Sequence, residues 1–540
     1  MSIKRFLSFR RMTVCLYLLT PCLGLGPDCS YGQSLGKDRE TVFFSFDDEL
    51  IPWRDNLKLT LERPKKHPGN PVLRAGPPGS VDANGTILYG TVFKEGDKFR
   101  MWYLAWPLPD KRYPEQTNWP HRPIAYAESP DGIHWTKPNL GLVDFCGNKN
   151  NNLVSIEPAN HPFAAVNDYV SVLRDETDPD PSRRYKMVYV VYLPKLRHST
   201  AATAVSADGL RWKLASTKEF TNGHFEITSL VKFQGLYYVT GQNLGRAGGH
   251  LADGLDAGRA MTAFFSPDFQ HWSSGRALCF FRSHYEPQLE GFGQELHMGA
   301  ALWNRGNVIV GLYGRWYGDH IARDPETRKT APLYDLKIDL GLVVSNDAIH
   351  YREPLQNFVM VSPGGEGQWD SHALLQGHAF HNTPTETYIW YSDWYTRNPF
   401  PTPATPANLR PQSIGLLTMR RDGFGHLSKH RTEPAKQPGF YRTDTGGSLL
   451  TRRVTLQHDS RLFLNVDQVT PDAPLRVALV DDAEQRLPSF PLVALTQSGV
   501  RVPVCFGKAR IPAGKTFRIR VAWPEGKANP HFYALYLQPW

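Results

Sequence analysis

Along most of this chain apolar and polar residues alternate over short runs, and almost nowhere do apolar residues recur at the three-to-four spacing of a helix. Runs 86–93 and 99–104 flank a polar turn at 94–98, and runs 168–173 and 185–190 flank an acidic, proline-containing turn. The same design returns at 226–233 and 236–239 around Gln234-Gly235, at 297–303 and 307–313, and at 369–375 and 387–391. β-Branched and aromatic residues crowd these runs, which predicts a series of hairpins and an all-β chain.

Each hairpin leads to one recurring phrase: Ser129-Pro-Asp-Gly-Ile-His-Trp135, Ser206-Ala-Asp-Gly-Leu-Arg-Trp212, Ser266-Pro-Asp-Phe-Gln-His-Trp272 and Ser345-Asn-Asp-Ala-Ile-His-Tyr351, then a weaker Arg421-Asp-Gly-Phe-Gly-His-Leu427. The aspartates Asp131, Asp208, Asp268, Asp347 and Asp422 stand 77, 60, 79 and 75 residues apart, room for one four-stranded blade each. Ser and Asp side chains bond turn amides, Asp-Gly closes a tight hairpin, and the following aromatic re-enters the sheet. The phrase is structural and predicts a five-bladed β-propeller.

Beyond about Phe440 the phrase stops. Short runs at 449–456, 461–466, 475–480, 492–495, 516–521 and 532–537, separated by Asp, Pro and Gly turns, predict a C-terminal β-sandwich over 440–540 after a propeller over 33–439. Residues 41–75, with His67-Pro-Gly-Asn-Pro-Val-Leu73, are expected to feed a strand into the ring and help close it.

Composition adds an address. Lys4, Arg5, Arg10 and Arg11 precede an apolar run over 12–26, and Ser30-Tyr-Gly32 offers a small-residue cleavage site, so residues 1–32 read as a signal peptide and the protein as secreted or periplasmic. No later run is long and apolar enough for a transmembrane segment. Three of the six cysteines lie in the leader; Cys146, Cys279 and Cys505 form neither a disulfide framework nor a zinc motif and are expected as buried small hydrophobes. The formal charge of +9 falls to about +6 without the leader, and the basic residues are scattered, which argues against nucleic acid and allows an anionic polysaccharide.

In a propeller the first strand of each blade lines the channel, so polar residues at the starts of those strands converge. Cleaving a glycosidic bond there takes one protonated and one ionised carboxyl. Glu226 opens the first strand of blade three, nine residues before Gly235, and Asp168 opens that of blade two. This spacing resembles glycoside hydrolase family 43, and the resemblance implies Glu226 as general acid. Families 43 and 32 place at the position of Asp168 a second Asp that orients the acid and tunes its pKa. In blade one the corresponding base or nucleophilic Asp would fall near Tyr89; the nearest upstream carboxylate is Asp82, favoured over Asp47 and Asp48. The chain from 41 onward also resembles secreted bacterial proteins related to family 32, at Asp47-Asp-Glu-Leu-Ile51, at 67–73, at 129–143 and at Gly367-Gln-Trp-Asp370.

His297 beside Glu295, and Asp370 with His372 and His378, are candidates to bind sugar hydroxyls or phosphate, or to hold a cation in the channel. Trp106, Trp119, Trp316, Trp390 and Trp394 are candidate sugar platforms, and the loop Arg315-Trp-Tyr-Gly-Asp-His320 is the first of these to test. No spacing demands a metal, and no cofactor is required; family 43 alone implies one structural Ca²⁺ on the axis. Three readings follow: a secreted glycosidase using Glu226, Asp168 and Asp82 on a polysaccharide or oligosaccharide; a phosphorylase of the family 130 kind; and a carbohydrate-binding propeller without activity.

Overall fold

The computed structural model describes residues 40–540 except 118–120, 194, 196, 217, 222, 244–258, 283–294, 318–336, 395–410, 434–444 and 508–509. The leader and Trp119 lie outside them. All described residues belong to one compact unit, Ser34–Trp540. Among the described residues strand accounts for 52% and helix for 2%, as the period-two patterning requires.

Five consecutive antiparallel meanders organise the first four-fifths of the described chain. Unit one is Gly85–Glu95, Lys98–Trp106 and Ile124–Ser129; unit two is Val166–Arg174, Tyr185–Leu193, His198–Ser206 and Arg211–Leu214. Unit three is Glu226–Phe233, Leu236–Asn243, Ala260–Ser266 and Ala277–Phe281. Unit four is Glu295–Asn304, Ile309–Tyr317 and Lys337–Ser345; unit five is Ala373–Asn382, Glu386–Trp394 and Ile414–Arg420. The first strand of unit five starts four residues later than the run 369–375 predicts, because Trp369 and Asp370 belong to the turn before it.

The five first strands pack one on the next in a closed cycle, unit five returning to unit one. Side-chain hydroxyls stitch this cycle: the Val172 amide donates to Thr91 Oγ1 at 2.9 Å, the Leu230 amide to Ser171 Oγ at 2.9 Å, and the Leu302 amide to Ser229 Oγ at 3.0 Å. Between units five and one, His378 and Ala379 pair in parallel with Thr91 and Val92. Gln376 Nε2 donates to the His297 and Gly299 carbonyls at 3.0 and 2.8 Å.

The repeated phrase is the outer fastener. Asp131 accepts from the Ile133 and His134 amides, each at 2.8 Å, while the Gly132 amide donates to Ser129 Oγ at 2.8 Å. The copies at Asp208, Asp268 and Asp347 repeat this. The phrase also receives a neighbour: Trp102 Nε1 donates to the Gly209 carbonyl at 2.7 Å, and Trp390 Nε1 to the Gly132 carbonyl at 2.9 Å. Trp390 is fully buried in this role and is no sugar platform. Gly132 has φ +80°, and an added Cβ would stand 2.7 Å from the Trp390 ring. Gly132→Ala is therefore expected to destabilise the chain by about 1–3 kcal/mol through left-handed backbone strain and overpacking, read as a lowered urea midpoint with no change in the far-ultraviolet spectrum.

The last two sheets recruit strands from both ends of the chain. Ser460–Asp467, Gly499–Val504 and His531–Pro539 form one sheet with Thr41–Phe44, Leu57–Leu61 and Gly425–Lys429. Gly447–Leu450, Leu475–Val480, Val493–Leu495 and Thr516–Trp523 form the other with Trp53–Asp55. Leu464, Leu535, Val477 and Ile519 share one core between them. Of residues 41–75, Lys65–Lys66 and Leu73 pair with Ile414–Arg420 of unit five and Asn70 bonds Leu416 there; the buried Thr41–Phe44 pairs with His531–Pro539, and its Val42 and Phe44 pack also on Leu312 and Leu417 of units four and five. Gly499–Val504 is a strand that the sequence reading passes over. Of the three cysteines Cys279 is buried, Cys146 half-buried and Cys505 exposed. No described helix is long and apolar enough to cross a membrane.

Candidate functional site

A β-bulge interrupts the pairing of each first strand with its second: between Ile87 and Thr91, opposite Tyr189 to Val191 at Val166–Val170, between Ile227 and Ser229, between His297 and Ala300, and between Gln376 and Phe380. A bulge bends its strand and re-aims the side chains beside it. Tyr89, Asp168, Glu226 and His297 lie in or beside four of these bulges, so four neighbouring units direct them to one end of the ring.

Asp168 and Glu226 are close enough that the charge of Glu226 acts on Asp168. Their side chains keep 19% and 22% exposure, enough to be reached from solvent. Asp168 Oδ1 accepts from Arg122 Nη1 at 2.9 Å, and the Arg122 guanidinium lies 5.0 Å from the Trp106 ring centre. Burial pushes the Asp168 carboxyl up; the Arg122 charge opposes this, the Glu226 charge adds to it, and the net shift is upward. Burial would push Glu226 up as well, but hydrogen bonding to His224 and Gln242 and the charges of His224 and Arg259 outweigh it and hold Glu226 below its usual range. Gln242 Nε2 donates to Glu226 Oε2 at 2.6 Å while its own Oε1 accepts the Met298 amide at 2.7 Å. His224 Nε2 stands 3.6 Å from Glu226 Oε1.

Tyr89 closes the site from unit one. Its ring stacks on Tyr169 at 3.6 Å between centres and its hydroxyl meets His297 Nδ1 at 3.1 Å. Burial above all, with the Asp168 and Glu226 charges, raises the Tyr89 phenol well above its usual value. Burial and then the Arg259 charge hold His297 well below its usual value, so the imidazole is neutral, and its tautomer decides whether Nδ1 or the Tyr89 hydroxyl donates this bond. Trp316 and Trp394 lie 5.2 and 5.6 Å from the His297 ring, and Arg259 stacks 4.2 Å over Trp316.

The structure thus brings together Glu226, Asp168, His297 and Trp316, with Trp106 and Trp394 at the margin. The other expected residues stand elsewhere. Asp82 is buried in unit one's approach, bonded to Tyr103 Oη at 2.8 Å, Lys137 Nζ at 2.5 Å and Ser80 Oγ at 3.1 Å. None of these belongs to the Asp168–Glu226 cluster, and Asp82 acts as a turn acceptor. Asp47 is likewise taken up, by Asn346 and Arg352, each at 2.8 Å, and Asp48 by Arg352 at 2.7 Å. Asp370 is buried against Lys66 at 2.5 Å and the Tyr391 hydroxyl at 2.7 Å, and His372 Nδ1 meets Ser371 Oγ at 3.1 Å. The Arg315 guanidinium turns outward to Asp339 at 3.3 Å and the Asn357 carbonyl at 2.9 Å, so in this loop Trp316 faces the site and Arg315 does not. Residues 318–320 and the Glu295 side chain lie outside the described part.

Sequence reasoning passed over Arg122, Tyr169, His224, Gln242 and Arg259. His224 had a signal, its place two residues before Glu226 in the segment that leads into the strand; Gln242 becomes visible only through its cross-strand register with Glu226.

His378 sits on the axis with Nδ1 2.8 Å from Ser171 Oγ, and burial pulls it down to about 4. One neutral imidazole and hydroxyls already bonded to amides are not the oxygen-rich set that Ca²⁺ takes. No three His, Cys, Asp or Glu side chains among the described residues are grouped to hold a metal.

No family model matches the chain, and no curated protein does. Among solved structures, it is similar to a glycosyl hydrolase from Bacteroides ovatus at 15% identity, over 67% of this chain and 93% of that one, with a TM-score of 0.41. A thermostable family-43 glycoside hydrolase is 14% identical over 68% and 99% of the two chains, with a TM-score of 0.38. A protein described with the GH130 family of mannoside phosphorylases, which contains hydrolases of β-1,2 mannosidic linkages in Candida mannan, is 15% identical over 67% and 93%, with a TM-score of 0.40. At these values the similarity identifies no activity for this chain.

Proposed function

We propose that the chain is a secreted glycoside hydrolase in which the five meanders are the blades of a five-bladed β-propeller and the two C-terminal sheets an accessory β-sandwich, cleaving glycosidic bonds of a polysaccharide or oligosaccharide by carboxylate chemistry. One observation carries this reading. Two carboxyls from neighbouring first strands share a reachable site, and their surroundings push their pKa values in opposite directions, the arrangement an acid and an ionised partner need.

The roles differ from those the family resemblance implies. The upward shift of Asp168 suits it to donate to the leaving oxygen, and the downward shift of Glu226 suits it to stand as the anion beside the oxocarbenium-like centre. Arg122 orients Asp168, and Gln242 and His224 orient Glu226. Trp106, Trp316 and Trp394 are the rings against which a sugar face stacks.

Phosphorolysis is the second reading, favoured by the guanidinium groups of Arg122 and Arg259 around a site whose third position is a phenol. Incubating the chain with a panel of 4-nitrophenyl glycosides and plant and algal polysaccharides, with and without inorganic phosphate, separates the two. Reducing sugar released without phosphate is expected. Glycosyl phosphate formed only when phosphate is present would replace hydrolysis by phosphorolysis, and binding with no turnover in either condition would leave a carbohydrate-binding propeller.

A further inference from the structure

We infer that Gln242 is a positioning residue that fixes Glu226 as a hydrogen-bond acceptor, and that one peptide group of unit four in turn fixes Gln242. The inference rests on the glycosidase reading, in which Glu226 is the anion. Gln242 is 1% exposed, so both ends of its amide must find partners inside the protein. The Met298 amide, 2.7 Å away, can only donate, which makes the end facing it Oε1. Nε2 is then the end that meets Glu226 Oε2 at 2.6 Å, and Gln242 approaches Glu226 only as a donor. Turning the amide over would set Nε2 against the Met298 N–H and Oε1 against a carboxyl oxygen, with two buried groups unsatisfied at once.

The Met298 amide is itself held. Met298 has φ +67°, in the left-handed region that residues with a side chain rarely adopt, inside the bulge between His297 and Ala300. The carbonyl of the same peptide group, that of His297, accepts from Gln376 Nε2 at 3.0 Å, and the Gly299 carbonyl accepts from the same nitrogen at 2.8 Å. One peptide group of unit four thus gives its N–H to Gln242 of unit three and its carbonyl to Gln376 of unit five. A peptide plane bonded on both sides cannot rotate without breaking a buried bond, so Gln242 Oε1 has a fixed target and Nε2 a fixed reach to Glu226. A donor held on a carboxylate strengthens its charged form over its neutral one, which is what the anion of this site needs.

The test uses the full mature chain, the glycoside that it turns over fastest, and a substrate-free titration of the Glu226 carboxyl by ¹³C NMR, its signal assigned by its loss in Glu226→Gln. Two variants are compared with the parent. Gln242→Met fills a similar space with no donor, so the burial of Glu226 is less opposed. Gln242→Glu keeps an oxygen for the Met298 amide and puts a second carboxyl against Glu226, so that the pair shares a proton which leaves at higher pH. In both, the Glu226 carboxyl is expected to complete its ionisation about one pH unit or more above the parent, and the rising acid limb of kcat/KM to move up with it, a loss of about tenfold or more at the pH where the parent limb lies. A purely structural role lowers the urea midpoint and leaves both the limb and the carboxyl titration where they were. That result overturns the inference and leaves the glycosidase reading standing, and Gln242→Glu decides it where Gln242→Met fails to fold. A parent chain that turns over nothing in the panel overturns the glycosidase reading instead, and the carboxyl titration then decides alone whether Gln242 governs Glu226.

Discussion

Glu226→Gln is expected to lower kcat by about 10³-fold while leaving the urea midpoint of the chain unchanged. The substitution keeps the shape of the side chain and still offers an oxygen to the Gln242 amide, so the strand pairing of Glu226 with Gln242 survives. What it removes is the negative charge that hydrogen bonds and the neighbouring cations hold on this carboxyl against its burial. Asp168→Asn gives the discriminating comparison. A residue that only protonates the leaving oxygen is dispensable when that oxygen leaves readily, so Asp168→Asn is expected to lose most activity on alkyl glycosides and to keep most of it on 2,4-dinitrophenyl glycosides. Glu226→Gln should lose both. The pH profile carries the same sign. Asp168 acts while protonated and its carboxyl is raised, so the parent rate falls as pH climbs through that raised value, and Asp168→Asn loses this limb. The opposite pattern, with rescue of Glu226→Gln by the activated substrate, would return the acid role to Glu226.

The path from sequence to site was legible where a residue's role is local. The four full turn phrases bond within four residues of their own aspartate, so their spacing alone measured out the meanders. Asp168 and Glu226 were legible because each opens a strand whose hairpin partner follows directly. Asp82, Asp370 and Arg315 misled for one physical reason: a charged residue near a strand end has either a ligand or a distant ion-pair partner ahead of it, and those partners, Lys137, Lys66 and Asp339, lie 55, 304 and 24 residues away. Tyr89 marks the other limit. Counting back from the hairpin at Gly96 reached its position, where a tyrosine in an alternating run reads as core; it is buried in that core, and only its bond to His297 beside the bulge between Ile87 and Thr91 ties it to the site. Bulges were invisible in the pattern of period two, and all five first strands have one. The strand 499–504 and the recruitment of Thr41–Phe44 to the last sheet escaped for a related reason, since each pairs with chain far away in sequence.

The fifth copy of the phrase is where removing one carboxylate does most damage to stability. In the first copy Asp131 is 43% exposed and serves its own turn, but Asp422 is fully buried and serves three parts of the fold. It pairs with Arg305 from the first hairpin turn of unit four, accepts from Asn382 Nδ2 at 2.9 Å in unit five, and accepts from the Tyr536 hydroxyl at 3.0 Å in the C-terminal strand. Burial would raise this carboxyl, but the Arg305 charge and hydrogen bond, with Asn382 and Arg421, bring it below the usual range. Asp422→Ala therefore strands a buried guanidinium together with an amide and a phenol, and a loss of about 3–5 kcal/mol is expected, against about 0.5–2 kcal/mol for Asp131→Ala, which forfeits bonds within its own turn, to two amides, the Ser129 hydroxyl and the exposed His134 ring. Because the folded carboxyl is the depressed one, its contribution is present above the unfolded value of 3.8 and is lost as pH falls through the lower folded value. The urea midpoints of parent and Asp422→Ala should lie far apart at pH 7 and converge as the solution is acidified. A gap at pH 7 no larger than that of Asp131→Ala would mean that Arg305 finds its counter-charge elsewhere, with Glu40, 3.7 Å away, the first place to look.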